Sequence, residues 1–178
     1  AYSLSQSFNR SKRFILGREL DLTGRNPVIS LLRFFVEALN FVGLYVPNKF
    51  FDTIVLKKIR AVTGGCLKGS VSGGGALPMH VDVFFNNIGI PVLEGYGLTE
   101  TCPVLAVRTF ENLVIGTIGP LYPGTEVRIH DLNNGSIIFP GKKGVKGELH
   151  VKGGQVMPGY YKNPEATAKV LTKDGWLN

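Results

Sequence analysis

The chain has 178 residues, of which 44% are hydrophobic and 19% charged, with 23 glycines and 10 prolines, the composition of a folded globular chain. The apolar content excludes an intrinsically disordered segment, and no Gly-X-Y period supports collagen. The formal net charge is +7, and a chain of this length forms one domain or a piece of a larger one, with room for a sizeable core.

The charge is uneven. Ten Lys and Arg stand against four Asp and Glu in residues 1–64, and ten against nine in residues 65–178. A bias of this kind attracts anionic lipid, an acidic protein or nucleic acid, but no RNP, zinc-finger or KH-type pattern accompanies it, so nucleic acid is not an expected partner. Cys66 and Cys102 lie far apart without a CxxC pair, and His80, His130 and His150 are scattered among apolar neighbours. Neither a disulfide framework nor a zinc site is expected.

From the start, Ala1 to Arg18 mixes Ser, Asn and basic residues without the apolar run of a signal peptide, and the first residue is not Met, as expected of an excised or processed chain. Pro27 to Val46 is the most apolar stretch. Its polar residues Ser30, Arg33, Glu37 and Asn40 recur at spacings of three and four, which predicts a helix with one polar stripe. The wide apolar remainder, around Phe34, must pack against protein, the expected outcome, or lie on a membrane surface. A transmembrane span is disfavoured because Arg33 and Glu37 interrupt it and Gly43 and Pro47 are expected to end it. A second helix is predicted over Lys49 to Val62.

Leu67 to Ser72 then reads as a short strand running into Gly73-Gly74-Gly75. Pro78 suits a first helical turn, and Val81, Phe84, Phe85 and Ile88 give one apolar face before Gly89. Ile90 to Leu93 reads as a second strand. Strand, helix and strand make a βαβ unit with parallel strands, so the loops after the two strands, Gly73–Gly75 and Glu94–Glu100, are expected to open onto one crevice, where open α/β sheets bind ligands. Beyond Phe110 the pattern turns β-rich. Thr125–His130 and Gly147–Lys152 alternate around a turn at Asn133-Asn134-Gly135, Asn163-Pro164-Glu165 caps a short helix through Val170, and Asp174-Gly175 marks a last turn.

Glycines 73 to 75 let the backbone lie against a flat or anionic ligand, although neither a Walker A nor a dinucleotide spacing is present. In Glu94-Gly95-Tyr96-Gly97-Leu98-Thr99-Glu100-Thr101 an aromatic stands between glycines and before hydroxyl and carboxylate groups. Tyr96 offers a stacking face, Thr99 and Thr101 offer hydrogen bonds to phosphate, and Glu100 offers a hard oxygen to Mg²⁺. Taken singly, Tyr96 also suits a core aromatic, Thr99 a turn cap and Glu100 a surface carboxylate.

This segment resembles the Tyr-Gly-x-Thr-Glu core motif of the adenylate-forming superfamily, which includes acyl-CoA synthetases, luciferases and peptide-synthetase adenylation domains. Ser72 to Pro78 is similar to that family's Gly-Gly-Ala-Pro-Leu segment, with Ala76 in place of its Pro. Gly147 to Gly153 with Gly159-Tyr160 through Thr167 resembles its Gly-Glu-Leu block, and Ile118-Gly119-Pro120 with Pro123 to Val127 its connector. The wording is most similar to long-chain fatty acid ligases that use CoA or acyl carrier protein.

The resemblance implies an α/β fold, part of the superfamily's large domain. Its expected parts are a basic helical lead-in at 1–64, a parallel nucleotide-binding segment at 65–110, and a β-rich, barrel-like part at 111–178. It implies ATP, Mg²⁺ and CoA, or the phosphopantetheine of acyl carrier protein, with a long-chain fatty acid as substrate. By the same resemblance Tyr96 stacks on adenine, Gly73, Gly74 and Gly75 line its other side and the acyl tunnel, and Thr99 holds the α-phosphate. Glu100 takes Mg²⁺, and Glu94, Gly95, Gly97 and Leu98 complete the nucleotide segment. Tyr160, Lys162 and Trp176 are expected to be packing or surface positions.

The family continues past this chain's last residues into a ribose-binding Asp motif, so a fragment inactive by itself is expected. A cytoplasmic location follows from the need for ATP, with peripheral membrane contact left open. Two alternatives remain: an adenylating enzyme for another carboxylic acid, and a noncatalytic nucleotide-binding scaffold that works on a membrane or carrier protein.

Overall fold

The computed structural model describes residues 2–22, 24, 26–140 and 144–178. They form two compact units, Ala1–Glu94 with Arg108–Gly119, and Gly95–Val107 with Pro120–Asn178.

The first unit opens with α1 (Tyr2–Ile15), an element the sequence pattern did not announce, packed along α2 (Pro27–Phe51). Asn26 caps α2 by accepting the Val28 N–H at 3.0 Å, and Pro27 occupies the first turn, where its missing N–H costs nothing. Gly43 and Pro47 do not end this helix. It runs to Phe51, continues through a π turn (Asp52–Leu56), and passes into α3 (Lys57–Val62), so the predicted separate helix at Lys49–Val62 is the far end of one rod. Pro47 forfeits one helical hydrogen bond, and helical sequence on both sides carries the rod past it.

The faces of α2 are the reverse of the core packing expected for it. Its one buried residue is Glu37, at 8% exposure, whose Oε2 accepts the Ser11 hydroxyl at 2.6 Å. Arg33 bridges to Glu19 at 2.9 Å and to Glu37 at 3.6 Å, so much of the polar stripe is spent against α1 and its connection. Stacked Phe8 and Phe41, 4.8 Å between ring centres, supply the apolar part of that contact. The wide apolar face points away from the unit, with Leu39, Val42 and Val46 each at least 72% exposed.

Below the rod, Leu56, Ile88 and Ile90 are buried together with Phe85 against them. The βαβ unit is present. β1 (Ser70–Ser72) runs parallel to the first half of β2 (Val92–Gly97), pairing Ser70 with Val92 and Ser72 with Glu94, and α4 (Met79–Asn87) connects them. Ser5 and Asn9 both donate to the Asn87 carbonyl, tying α1 to the end of α4.

In the second unit, the latter half of β2 pairs antiparallel with β3 (Val104–Val107), with an irregularity between Tyr96 and Gly97. A separate antiparallel sheet has the order β5-β4-β6: β4 (Glu126–His130) at the centre, β5 (Ile137–Phe139) and β6 (Glu148–Lys152) at its sides. β4 and β6 are the alternating segments of the sequence, and the predicted turn, in which Gly135 has a φ of 69°, joins β4 to β5, a strand the sequence pattern did not announce. Asn163 caps α5 (Pro164–Val170) by accepting the Ala166 N–H at 3.0 Å, as its position predicts. Leu105, Val151 and Leu177 make the core, each contributing about 1.5–3 kcal/mol by leaving water. Trp176 is buried beneath the Arg128 guanidinium at 3.9 Å, the packing position expected of it.

Candidate functional site

In the first unit, β1 delivers the chain into the exposed segment Gly73–Ala76. Gly74 has a φ of 80°, which an L side chain rarely adopts, and a Cβ placed on Gly74 or Gly75 meets no atom within 4 Å. The outer side of this loop is therefore bare backbone. Its far end is anchored, because the Leu77 N–H donates to Glu94 Oε1 at 3.1 Å.

Glu94 in turn belongs to a buried ionic set. Its Oε2 accepts from Arg108 at 2.8 Å, while another Arg108 nitrogen donates to Asp82 Oδ2 at 2.8 Å and Nε donates to the Thr117 carbonyl. The Arg108 side chain has no exposure, Asp82 2% and Glu94 13%. Asp82 also accepts the Gly116 N–H and the Asn86 amide. One guanidinium thus joins α4, β2 and the 116–117 turn. Glu94, expected to face a cofactor, has both carboxylate oxygens taken by protein donors. Arg108 was missed: a buried carboxylate on α4 needs a cation, but nothing local identifies one 26 residues away.

In the second unit, Gly95, Tyr96 and Gly97 lie in β2, so the expected loop begins only at Leu98. Tyr96 packs against the Leu105–Val151–Leu177 cluster and is half-buried. Gly97 is required by the chain itself, since a Cβ there would lie 1.5 Å from the Pro103 carbonyl oxygen. A 3-10 turn, Thr99–Thr101, follows, and Cys102 closes it with a φ of 53°.

Thr101 does not offer its hydroxyl to a phosphate. It is fully buried, accepts the Leu98 N–H at 3.0 Å and faces the Leu98 and Pro103 carbonyls at 2.9 and 3.0 Å. Its work is to staple the turn. Thr99 and Leu98 stand exposed on the other side.

Glu100 is held at both ends. Its carbonyl accepts the Met157 N–H at 2.7 Å, and its Oε1 accepts the Tyr160 hydroxyl at 2.7 Å. The Tyr160 hydroxyl, and then the residue's own backbone N–H, hold the Glu100 carboxyl below the usual carboxylate range. The same contact raises the Tyr160 phenol, because its proton is bonded to an anion. Tyr160 is expected from the sequence to be a packing or surface position, and its partner lies 60 residues away.

The arrangement offers an oriented, ionised carboxylate beside an exposed hydroxyl. Among the described residues no group of three His, Cys, Asp or Glu converges as a metal cage. A hard cation held at Glu100 would need its remaining oxygens from elsewhere, as Mg²⁺ commonly takes them from phosphate and water.

Residues 22–161 match the family model described as AMP-binding enzyme. Probable acyl-activating enzyme 16, chloroplastic, of Arabidopsis thaliana is 40% identical over 177 residues, covering 98% of this chain and 24% of its own. A chloroplastic long-chain-fatty-acid–acyl-carrier-protein ligase of the same plant is 46% identical over 125 residues, 70% of this chain and 17% of its own. Long-chain-fatty-acid–CoA ligase 1 of Saccharomyces cerevisiae is 36% identical over 140 residues, 78% of this chain and 20% of its own. The crystal structure of ATP-bound MatB from Rhodopseudomonas palustris superposes with a TM-score of 0.57 at 30% identity, covering 72% of this chain and 25% of that one. The chain spans a quarter or less of the length of these relatives.

Proposed function

Because the chain belongs to the AMP-binding enzyme family, we propose that it supplies part of the catalytic domain of an ATP-dependent long-chain fatty acid ligase. The named activities of its relatives, toward long-chain fatty acids with CoA or acyl carrier protein, support that substrate class and those acceptors. In the reaction a fatty acid carboxylate attacks the α-phosphorus of ATP, the bond to pyrophosphate breaks, and a thiol then displaces AMP from the acyl-adenylate.

The first step brings two anions together and builds charge on phosphorus, so it calls for fixed positive and hydrogen-bonding partners rather than a nucleophilic side chain. Bound Mg²⁺ would neutralise phosphate charge. Glu100 is the residue assigned to hold it. Its Oε1 is occupied by Tyr160, and the ionised carboxylate is available to the cation at neutral pH. Thr99 donates its exposed hydroxyl to a phosphate oxygen, Tyr96 gives adenine an aromatic surface, and the bare backbone of Gly73–Gly75 admits close approach of the ligand. Glu94 acts by placement, fixing the Leu77 end of the glycine loop to Arg108.

The observation that carries the reading is the Tyr160–Glu100 contact, which orients and ionises a carboxylate at the motif position the family uses for its metal. The test is fatty-acid-dependent exchange of labelled pyrophosphate into ATP by the full-length polypeptide bearing this sequence. Exchange driven by long acyl chains is expected. Exchange driven only by aryl or amino acids would replace the substrate class, and no exchange from a folded protein that still binds ATP would replace the enzyme with a scaffold.

A further inference from the structure

We infer that the outward face of α2 is a docking surface for an anionic lipid bilayer, on which the helix lies in the plane of the interface. Val28, Leu32, Phe35, Leu39, Val42 and Val46 follow one another at spacings of three and four, and every one is at least 59% exposed. Leu31 and Val36, also more than half exposed, widen this stripe beyond the narrow seam of a two-stranded coil. From Val28 to Val46 the stripe runs about 27 Å along α2. Contiguous apolar patches of this kind are rare on soluble units and mark interaction surfaces.

On the inward side Glu37 is bonded to Ser11 and bridged to Arg33, so these two charged residues are committed toward α1 and do not interrupt the patch. The rod as a whole is long and apolar enough to cross a membrane. Crossing would drag Arg33, Glu37 and the α1 helix packed on them into hydrocarbon, whereas lying flat keeps α1 on the water side.

Charge selects the occupant. The four acidic residues of this region are all engaged: Glu19 and Glu37 by Arg33, Asp52 by Arg60, and Asp21 by the Gly24 N–H. Lys49, Lys57 and Lys58 stand exposed on the rod itself. The rod thus carries apolar and positive groups together, the combination that binds an anionic leaflet.

The test is cosedimentation of the full-length polypeptide with vesicles of phosphatidylcholine mixed with phosphatidylglycerol, against phosphatidylcholine alone. The anionic vesicles are expected to bind it, and the double variant Leu39→Ser, Val42→Ser is expected to bind roughly tenfold or more weakly. Lys57→Glu with Lys58→Glu is expected to remove the preference for phosphatidylglycerol and much of the salt dependence. Leu39→Trp gives a readout that does not depend on loss of apolar surface: its added fluorescence is expected to be quenched by brominated lipid. Absence of vesicle binding by the folded wild type, equal binding by the serine variant, or an unquenched Leu39→Trp would overturn the inference. So would a dimer that forms through this face and excludes lipid. Unfolding of the serine variant, coupled with an unquenched Leu39→Trp, would show that the rest of the polypeptide covers the face instead.

Discussion

The two compact units keep their ionisable groups in opposite surroundings. In the first, Arg108, Asp82 and Glu94 are withdrawn from water and answer one another. In the second, Tyr160 and the ionised Glu100 stand at the surface, bonded to each other and open to water. A buried set of charges is committed and acts as a frame. A surface carboxylate with one oxygen bonded is oriented yet still able to meet a ligand. The frame therefore ought to be read in stability, and the surface pair in ligand requirement.

The largest effect is expected from Arg108→Met, which strands two buried carboxylates and is predicted to cost about 3–5 kcal/mol in urea unfolding. Arg108→Lys restores only part of this, because one ammonium cannot fork to both partners. A loss of less than about 1 kcal/mol would mean that the ionic set is not the frame described.

The two glycine positions sharpen the same contrast. Gly97→Ala drives a methyl into the Pro103 carbonyl and is predicted to cost about 1–3 kcal/mol while displacing the turn that carries Thr99 and Glu100. Gly74→Ala meets no atom and is predicted to cost only the left-handed backbone penalty, about 1–2 kcal/mol. ATP affinity measured by calorimetry should fall with the first substitution even where the fold survives. Equal affinities in wild type and Gly97→Ala would separate that turn from the nucleotide.

The smallest effect belongs to Asp174. Its carboxyl lies below the usual range because the Thr172 hydroxyl and its own N–H bond it, with Lys152 and Arg128 adding positive charge. A depressed folded pKa contributes stability above the unfolded carboxylate value and loses it as pH falls through the folded one. Asp174→Asn is thus expected to lower Tm slightly at neutral pH, with the difference vanishing on acidification. A difference that grows with acid would reverse the assignment.

Much of this organisation is visible in the residues. The parallel strands around α4, the alternating β4 and β6, and the Asn163 cap follow from patterns that act within a few residues, and the structure contains each. Periodicity also finds the two faces of α2, but it does not tell which turns inward. That depends on α1, whose buried side, Ser5, Phe8 and Ser11, is mostly polar and gave no helical signal. Ser11 gives Glu37 its donor, while Ser5 bonds the Asn87 carbonyl at the end of α4.

The site divides in the same way. The Gly73–Gly75 and Tyr96–Glu100 segments stand out by residue type, whereas Arg108 and Tyr160 gain meaning only from partners 26 and 60 residues away. Gly97 and Thr101 look like ligand contacts in sequence, yet the structure uses both to close the chain on itself.

The most direct measurement is the Mg²⁺ dependence of pyrophosphate exchange by the full-length polypeptide, comparing wild type, Tyr160→Phe and Glu100→Gln. Tyr160→Phe is predicted to leave Tm unchanged and to raise the Mg²⁺ needed for half-maximal rate about tenfold, as loss of a group that orients a metal ligand does. Glu100→Gln is predicted to reduce exchange about a hundredfold at any Mg²⁺ concentration while fatty acid binding persists. Wild-type Mg²⁺ dependence in both variants would contradict the role given to this pair.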